Sequence, residues 1–367
     1  MRICVFSERQ VRTTDEGIRN YALALARALE SASDQQHEVR LYTVYGETQP
    51  GGGRAPRAGV TNLPGNPLLL SLPLRRALRE WAPALVLYVP TACATPFSFL
   101  RARVLRRYAR RAPVVLVALQ PRGYGRVARW WMRRLCPDLL LVQSEATRAT
   151  LAPMACAMRL VRPGVDLERF RPLPDDARAA LRRRHGIAQD VTVLLHVGHL
   201  NAARGLRTLL PLQAVDGQQL VVVGSSTTAQ DLDLVAELRA AGVLVIDAFV
   251  DDIAEFYQLA DCYVFAVQSA RASIDVPLSV LEAMACDLPV VSTRLEGLTR
   301  LFAPAAGVRY VDDPADMPLA VADCRRLVGG AGTRALVADY AWPRIAQQLL
   351  TLVAEELPAG RWAEARP

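Results

Sequence analysis

The chain has 367 residues, 51% hydrophobic and 22% charged, enough for two domains that each bury a core. No apolar run reaches the roughly 18–20 residues of a membrane span, and the opening MRICVFSE turns polar too soon for a signal peptide, so a cytoplasmic protein is expected. The formal charge of +8 is uneven: every base is Arg, residues 1–165 carry +15 and the remainder −7, so the two halves face different partners.

In chain order, RICVFS reads as a strand and DEGIRNYALALARALES as a helix with apolar residues at helical spacing. HEVRLYTVY is a strand, NPLLLSLPLRRALREW a helix, ALVLYVP a strand and FSFLRARVLRRYARR a helix. PVVLVALQ, YGRVARWWMRRLC and DLLLVQS continue the alternation as strand, helix and strand. LVRPGVDLERFRPLPDD (160–176), with three prolines and a glycine, reads as a linker. The pattern then restarts: strand VTVLLHVG, helix GLRTLLPLQA, strand QQLVVVGSS, helix AQDLDLVAELRAAG, strand VLVIDAFV, helix DIAEFYQLA, strand CYVFAV, helix PLSVLEAMAC and strand PVVST. DMPLAVADCRRLVGG and AWPRIAQQLLTLVAEEL close with helices. Short Val/Leu-rich strands interleaved with helices predict parallel sheets covered on both faces. The fold class expected is α/β, with two doubly wound Rossmann-like domains, 1–165 and 175–340, facing a central cleft.

Seven cysteines, with no C-x-x-C pair, read as reduced thiols. The four histidines show no metal-ligand spacing with them.

The stretch SIDVPLSVLEAMACDLPVVST (273–293) places one carboxylate, Glu282, in an otherwise apolar helix. Pro277 suits the first helical turn, with Asp275 or Val276 at the cap position. The amides of Leu278 and Ser279 then point out of the helix start, which favours phosphate. A ligand with phosphates there and a sugar one turn on would meet Glu282, whose carboxylate suits ribose hydroxyls. The bland alternative is a solvated surface glutamate, and its apolar neighbours weigh against it. A second constellation is HVGHLNAARGL (196–206), where Gly198 ends a strand, Arg204 is suited to forking onto a diphosphate, and His199 adds a donor. Alone, this is a common surface loop. A third is the turn at Gly17, which lacks G-x-G-x-x-G. Gly224 ends a further strand in a hydroxyl-rich loop that either lines the cleft or solvates a turn.

Together these pieces resemble glycosyltransferase family 4, with the two-domain GT-B fold, over nearly the whole chain. The most specific match is PLSVLEAMACDLPVVST; GVDLERFRP (164–172) and YQLADCYVFAVQS add to it. The resemblance implies transfer of a hexose from a nucleotide sugar (a GDP- or UDP-sugar) to a lipid-linked or glycan acceptor, with retained configuration and with neither cofactor nor metal. Residues 341–367 would return to the N-terminal domain, which would hold the acceptor, while 175–340 would hold the nucleotide sugar. Carried over, Glu282 binds the ribose, Arg204 and His199 take the places of phosphate-binding Lys and Arg, and the amides of Leu278 and Ser279 hold the β-phosphate. Gly17 lets the N-terminal loop close, and the backbone near Val250 meets the base. Three departures stand out. The family's first glutamate is replaced by Ile274, with Asp275 beside it as a substitute or only a cap. Gln120 and Arg122 stand where a His near the reacting sugar is common. His199 is a weaker phosphate partner than Arg unless protonated. The rival readings are a non-catalytic, diverged GT-B protein that binds nucleotide sugars, and a nucleotide-sugar epimerase.

Between Glu80 and Asp138 there is no acid, and residues 101–134 hold eleven Arg with Tyr108, Tyr124, Trp130 and Trp131 among them. Arg106, Arg107, Arg110, Arg129, Trp130, Trp131 and Arg133 form a candidate membrane or acceptor face, which would make the protein peripheral on the inner face of the cell membrane. A solvated helix face is the competing reading; nucleic acid is not expected.

Overall fold

A computed structural model describes residues 1–8, 17–31, 37–44, 60–91, 93–120, 122–225, 228–269, 272–324, 327 and 330–357. The loop before Gly17, Ser226 and Thr227 of the hydroxyl-rich loop, Arg325 and Arg326 of the expected penultimate helix, and 358–367 of the closing segment lie outside these residues.

The chain divides into two compact units, 1–163 with 342–367, and 164–341. In the first unit, seven strands form one parallel sheet: β1 (Arg2–Phe6), β2 (Glu38–Thr43), β3 (Val60–Asn62), β4 (Leu85–Tyr88), β5 (Val114–Ala118), β6 (Leu139–Val142) and β7 (Met158–Leu160). Their order is β3-β2-β1-β4-β5-β6-β7. Every residue of β4, β5 and β6 is buried, as expected for strands covered on both faces. The covering helices are α1 (Gly17–Ser31), α2 (Leu72–Trp81), α3 (Pro96–Tyr108), α4 (Arg126–Arg134) and α5 (Glu145–Leu151). α2 starts later than the sequence pattern suggests, because the Ser71 side chain caps it by accepting from the Leu74 amide. Chain 60–62 and chain 158–160 add short edge strands.

The second unit carries a six-stranded parallel sheet in the order β10-β9-β8-β11-β12-β13. Its strands are β8 (Thr192–Gly198), β9 (Gln218–Gly224), β10 (Leu244–Ile246), β11 (Cys262–Phe265), β12 (Val290–Thr293) and β13 (Val308–Val311). Its helices are α6 (Asp175–Arg184), α7 (Leu210–Gln213), α8 (Leu232–Ala240), α9 (Ala254–Leu259), α10 (Leu278–Ala285), α11 (Glu296–Leu301), α12 (Met317–Cys324) and α13 (Thr333–Leu336). The segment 164–174 is no free linker. The Val165 amide donates to the Tyr340 carbonyl at 2.8 Å, Arg334 donates to the carbonyls of Leu167 and Phe170, and the Phe170 ring meets Tyr257 edge-on. The expected strand 243–250 stops at Ile246. The expected helix from Gly205 is instead one short 3-10 turn, Leu206–Leu209, followed by α7, and a second 3-10 turn, Ala202–Arg204, precedes Gly205.

The last helix, α14 (Trp342–Glu356), belongs to the first unit, where it packs on α1 with Trp342 edge-on to Tyr21. Its buried stripe, Trp342, Ile345, Ala346, Leu349, Leu350 and Val353, follows helical spacing.

One expectation about the cysteines is corrected. Cys136 and Cys156 form a disulfide, since the end of α4 and the lead-in to β7 bring their Cα atoms to 5.6 Å; the other five thiols are buried.

Candidate functional site

In an open parallel sheet, ligands sit outside the carboxyl ends of the strands where the strand order reverses. In the second unit that point lies between β8 and β11. Gly198, His199 and Arg204 follow β8, and Asp275, Leu278, Ser279 and Glu282 follow β11.

α10 begins with Pro277 as its N-cap residue, and no side chain caps it. Among the described residues, the amides of Leu278 and Ser279 open the helix with no side-chain partner. Asp275 is buried just before this start, two residues ahead of the N-cap Pro277. Its carbonyl lies against Gly297, where a Cβ would collide with it.

Glu282 is half-buried, one turn into α10. The Tyr257 hydroxyl donates to its Oε2 at 2.7 Å. Loss of water raises the Glu282 pKa; the Tyr257 hydrogen bond and the charge of Arg169 oppose that rise, and Asp166 adds to it.

Tyr263, in β11, is hydrogen-bonded to the end of β8. Its hydroxyl donates to the Val197 carbonyl at 3.3 Å, and the Ser279 side chain favours its ionised form. Burial raises its pKa, with Glu282 acting in the same direction and Arg204 against it. The charges of Arg204 and Glu282 thus both act on this one phenol. Tyr263 lies inside an apolar strand, and nothing in the sequence separates it from a core aromatic.

His196, also unflagged by the sequence, is fully buried. Its Nδ1 is 3.0 Å from the Val264 carbonyl, so Nδ1 carries the hydrogen. Its Nε2 has no hydrogen-bond partner. Burial lowers its pKa to about 4; the Val264 hydrogen bond opposes this and Arg204 contributes to it. The ring lies nearly parallel to those of Tyr263 and Phe265. A Cβ at Gly198 would stand 3.0 Å from His196 Nε2 and 3.9 Å from Arg204 Cδ. Gly198 is therefore glycine to admit its own neighbours. Gly224 is glycine because the Leu200 side chain fills the space of a Cβ. Gly205, at φ +68°, holds the turn after Arg204 flush against the Ala266 carbonyl. Val250 is half-buried in the coil beyond β10.

In the first unit, Gly17 opens α1 and Gln120 follows β5, at the carboxyl edge of the sheet. The same edge holds Glu8, a buried acid that the sequence patterns passed over. It accepts from the Thr91 amide at 2.7 Å, from Arg101 at 2.8 Å and from Tyr88. The Gln120 carbonyl accepts from the Cys93 thiol.

The basic face resolves into two parts. α4 presents Arg129, Trp130, Trp131 and Arg133 outward and buries only Met132. Trp130 and Trp131 are each 51% exposed, and Arg134 stacks over Trp130 at 3.7 Å. Arg106, Arg107 and Arg110 line a separate concavity. Among the described residues, no helix is long and apolar enough to cross a membrane, and no group of three His, Cys, Asp or Glu is placed to hold a metal ion.

Comparison with known proteins agrees with this layout. The profile described as Glycosyltransferase Family 4 matches residues 16–169, and that described as Glycosyl transferases group 1 matches residues 191–327. A D-inositol 3-phosphate glycosyltransferase of Geodermatophilus obscurus is 34% identical over 224 residues, covering 54% of this chain and 48% of that protein. A GDP-mannose-dependent alpha-(1-6)-phosphatidylinositol monomannoside mannosyltransferase of Mycobacterium tuberculosis is 29% identical over 247 residues, covering 61% of this chain and 64% of that protein. The chain thus spans about half the length of the first relative and under two thirds of the second. Among solved structures, Anabaena Alr3699/HepE in complex with UDP superposes with a TM-score of 0.74 at 15% identity, covering 97% of this chain and 100% of that one, a likeness of fold.

Proposed function

We propose that this chain, which belongs to glycosyltransferase family 4 and has the GT-B fold, transfers a hexose from a nucleotide-sugar donor to a lipid-linked or glycan acceptor with retained configuration. The observation that carries the proposal is that Arg204 follows β8 while Glu282 and the start of α10 follow β11, the two strands that flank the switch point of the second sheet. A cation and free amides suit a diphosphate, and a carboxylate suits a ribose. The relatives named for GDP-mannose and for inositol phosphate substrates support a nucleotide-sugar donor and an inositol- or lipid-type acceptor.

In this reading, Arg204, His199 and the amides of Leu278 and Ser279 hold the diphosphate, Glu282 holds the ribose, and backbone near Val250 meets the base. The glycosidic C1–O bond breaks and its electron pair passes to the leaving phosphate oxygen. Preorganised positive groups stabilise the charge that develops there. The acceptor hydroxyl oxygen bonds to C1 on the same face, and its proton goes to the departing phosphate. Asp275 is assigned to the transferred sugar in this scheme, while Gly17 and Gln120 belong to the first unit, to which the acceptor is assigned. No metal or cofactor is assigned a step. The α4 face, with Trp130 and Trp131, suits docking on an anionic membrane surface on the cytoplasmic side.

A thermal-shift screen of GDP-, UDP- and ADP-sugars tests the donor, since a ligand that binds only the folded state raises the melting point. A rise with at least one nucleotide sugar is expected; no rise with any of them contradicts the proposal.

A further inference from the structure

Six arginines line one concavity of about 680 Å³ in the first unit. Arg79 comes from α2, Arg103, Arg106 and Arg107 from α3, and Arg110 and Arg111 from the turn that follows α3. No acid lines it. Among the described residues, Arg106 alone of the six has an ion pair, with Asp138 at 2.8 Å.

The location sets this concavity apart from the candidate catalytic edge. Asp138 lies just before β6, and its Oδ2 accepts from the amide of Val114, the first residue of β5. The concavity therefore opens at the amino edge of the sheet, whereas Gly17, Glu8 and Gln120 stand at its carboxyl edge.

Helix polarity explains only part of the cluster. Arg79, Arg106 and Arg107 occupy the last turns of their helices, where a cation is favoured. Arg103 lies a turn earlier. Arg110 and Arg111 both adopt left-handed backbone, φ 51° and 70°, at a helix end where glycine is the usual residue. Two consecutive arginines thus accept a conformation unfavourable to any side chain, in a place where their charges add to four others. Like charges gathered in a concavity repel one another and focus a positive field, and a bound anion relieves that repulsion. Guanidinium forks match phosphate oxygens in pairs. The volume and the number of forks exceed what one phosphate needs.

We propose that this concavity binds a compact polyanion carrying several phosphate groups, at the amino edge of the first unit's sheet. Clustered phospholipid headgroups and a soluble oligophosphate present the same chemistry.

The test is thermal denaturation of the full chain at low salt with inorganic tripolyphosphate, against sodium chloride at matched ionic strength. Wild type, Arg204→Ala and the double variant Arg107→Gln/Arg110→Gln are compared. Both substituted positions of the double variant are exposed and, among the described residues, have no acid partner, so an anion-free melting point at or above that of wild type is expected. Tripolyphosphate is expected to raise the melting point of wild type and of Arg204→Ala by several degrees and to leave the double variant unmoved. A shift no larger than the salt control, or an equal shift in the double variant, overturns the proposal. A shift lost in Arg204→Ala but kept in the double variant places the anion in the nucleotide-sugar site and overturns it equally. Sedimentation with phosphatidylglycerol and phosphatidylcholine vesicles separates the sources. Binding to the anionic vesicles that the double variant loses assigns headgroups. Binding that it keeps, or no binding at all, assigns a soluble oligophosphate.

Discussion

The hydroxyl of Tyr257 donates to Oε2 of Glu282 at 2.7 Å, and this hydrogen bond fixes the orientation of a carboxylate that is only half-buried. The bond occupies one carboxylate oxygen; Oε1 meets no hydrogen-bond donor among the described residues. The α10 helix thus offers a held acceptor rather than a mobile surface glutamate.

Glu282→Gln is predicted to trade affinity for stability. Burial raises the Glu282 pKa in the folded protein above its ordinary value. The protonated form is therefore favoured by folding, and that contribution is present below the ordinary carboxylate pKa and lost as pH rises through the raised value. Glutamine mimics the protonated form at every pH. Melting points measured from pH 4 to 8 should show Glu282→Gln gaining on wild type as pH rises. A constant difference across that range would show that the carboxylate pays no burial cost.

His196 should produce the opposite slope. Its pKa falls from 6.5 to about 4 on burial, so the folded state favours the neutral ring. Stability from this group is complete above pH 6.5 and is lost as pH falls toward 4, by about 3 kcal/mol if the whole shift is expressed. His196→Phe keeps an aromatic ring beside Tyr263 and Phe265 and removes the titration. Urea denaturation at pH 7 and pH 4.5 should show a smaller acid loss in the variant; identical losses would refute the buried neutral imidazole.

Gly205→Ala should be among the more damaging small substitutions in the second unit. A Cβ there collides with the Ala266 carbonyl, and the backbone is left-handed as well. Strain of this kind costs about 1–3 kcal/mol, and relief of the clash would displace Arg204. Gly217→Ala is the control: φ is +71°, but the space is open, so the cost is about 1–2 kcal/mol with no loss of ligand binding. Equal behaviour of the two variants in melting and nucleotide binding would remove Gly205 from the support of the site.

Much of this was legible in the sequence, for identifiable reasons. The central strands are short Val/Leu runs between turns, and the buried stripe of α14 follows helical spacing, so both announce themselves through periodicity. Edge strands of three residues such as β3 and β7 carry too little pattern to read. The start of α2 escaped because Ser71 sits within a Leu-rich run that continues the apolar pattern on its amino side. Glu282 stood out in the sequence as a charge in an apolar helix, whereas Arg204, in what alone reads as a common surface loop, was singled out through the resemblance. Tyr263 and His196 were not, because a strand aromatic and a strand histidine look like core until their polar atoms are located. The Cys136–Cys156 pairing depends on two strands being neighbours, which spacing along the chain does not reveal.

The account stands on Arg204 and Glu282 gripping two parts of one ligand, and calorimetry on Arg204→Ala and Glu282→Gln tests it most directly. The titrants are the nucleotide sugar found by screening, its nucleoside diphosphate and the bare nucleoside. A charge-assisted hydrogen bond contributes about 1.5–3 kcal/mol, so each variant should lose roughly 10–100-fold in affinity for the nucleotide sugar. Arg204→Ala should keep its affinity for the bare nucleoside, and Glu282→Gln should not. Wild-type affinity for the nucleotide sugar in both variants would contradict the account.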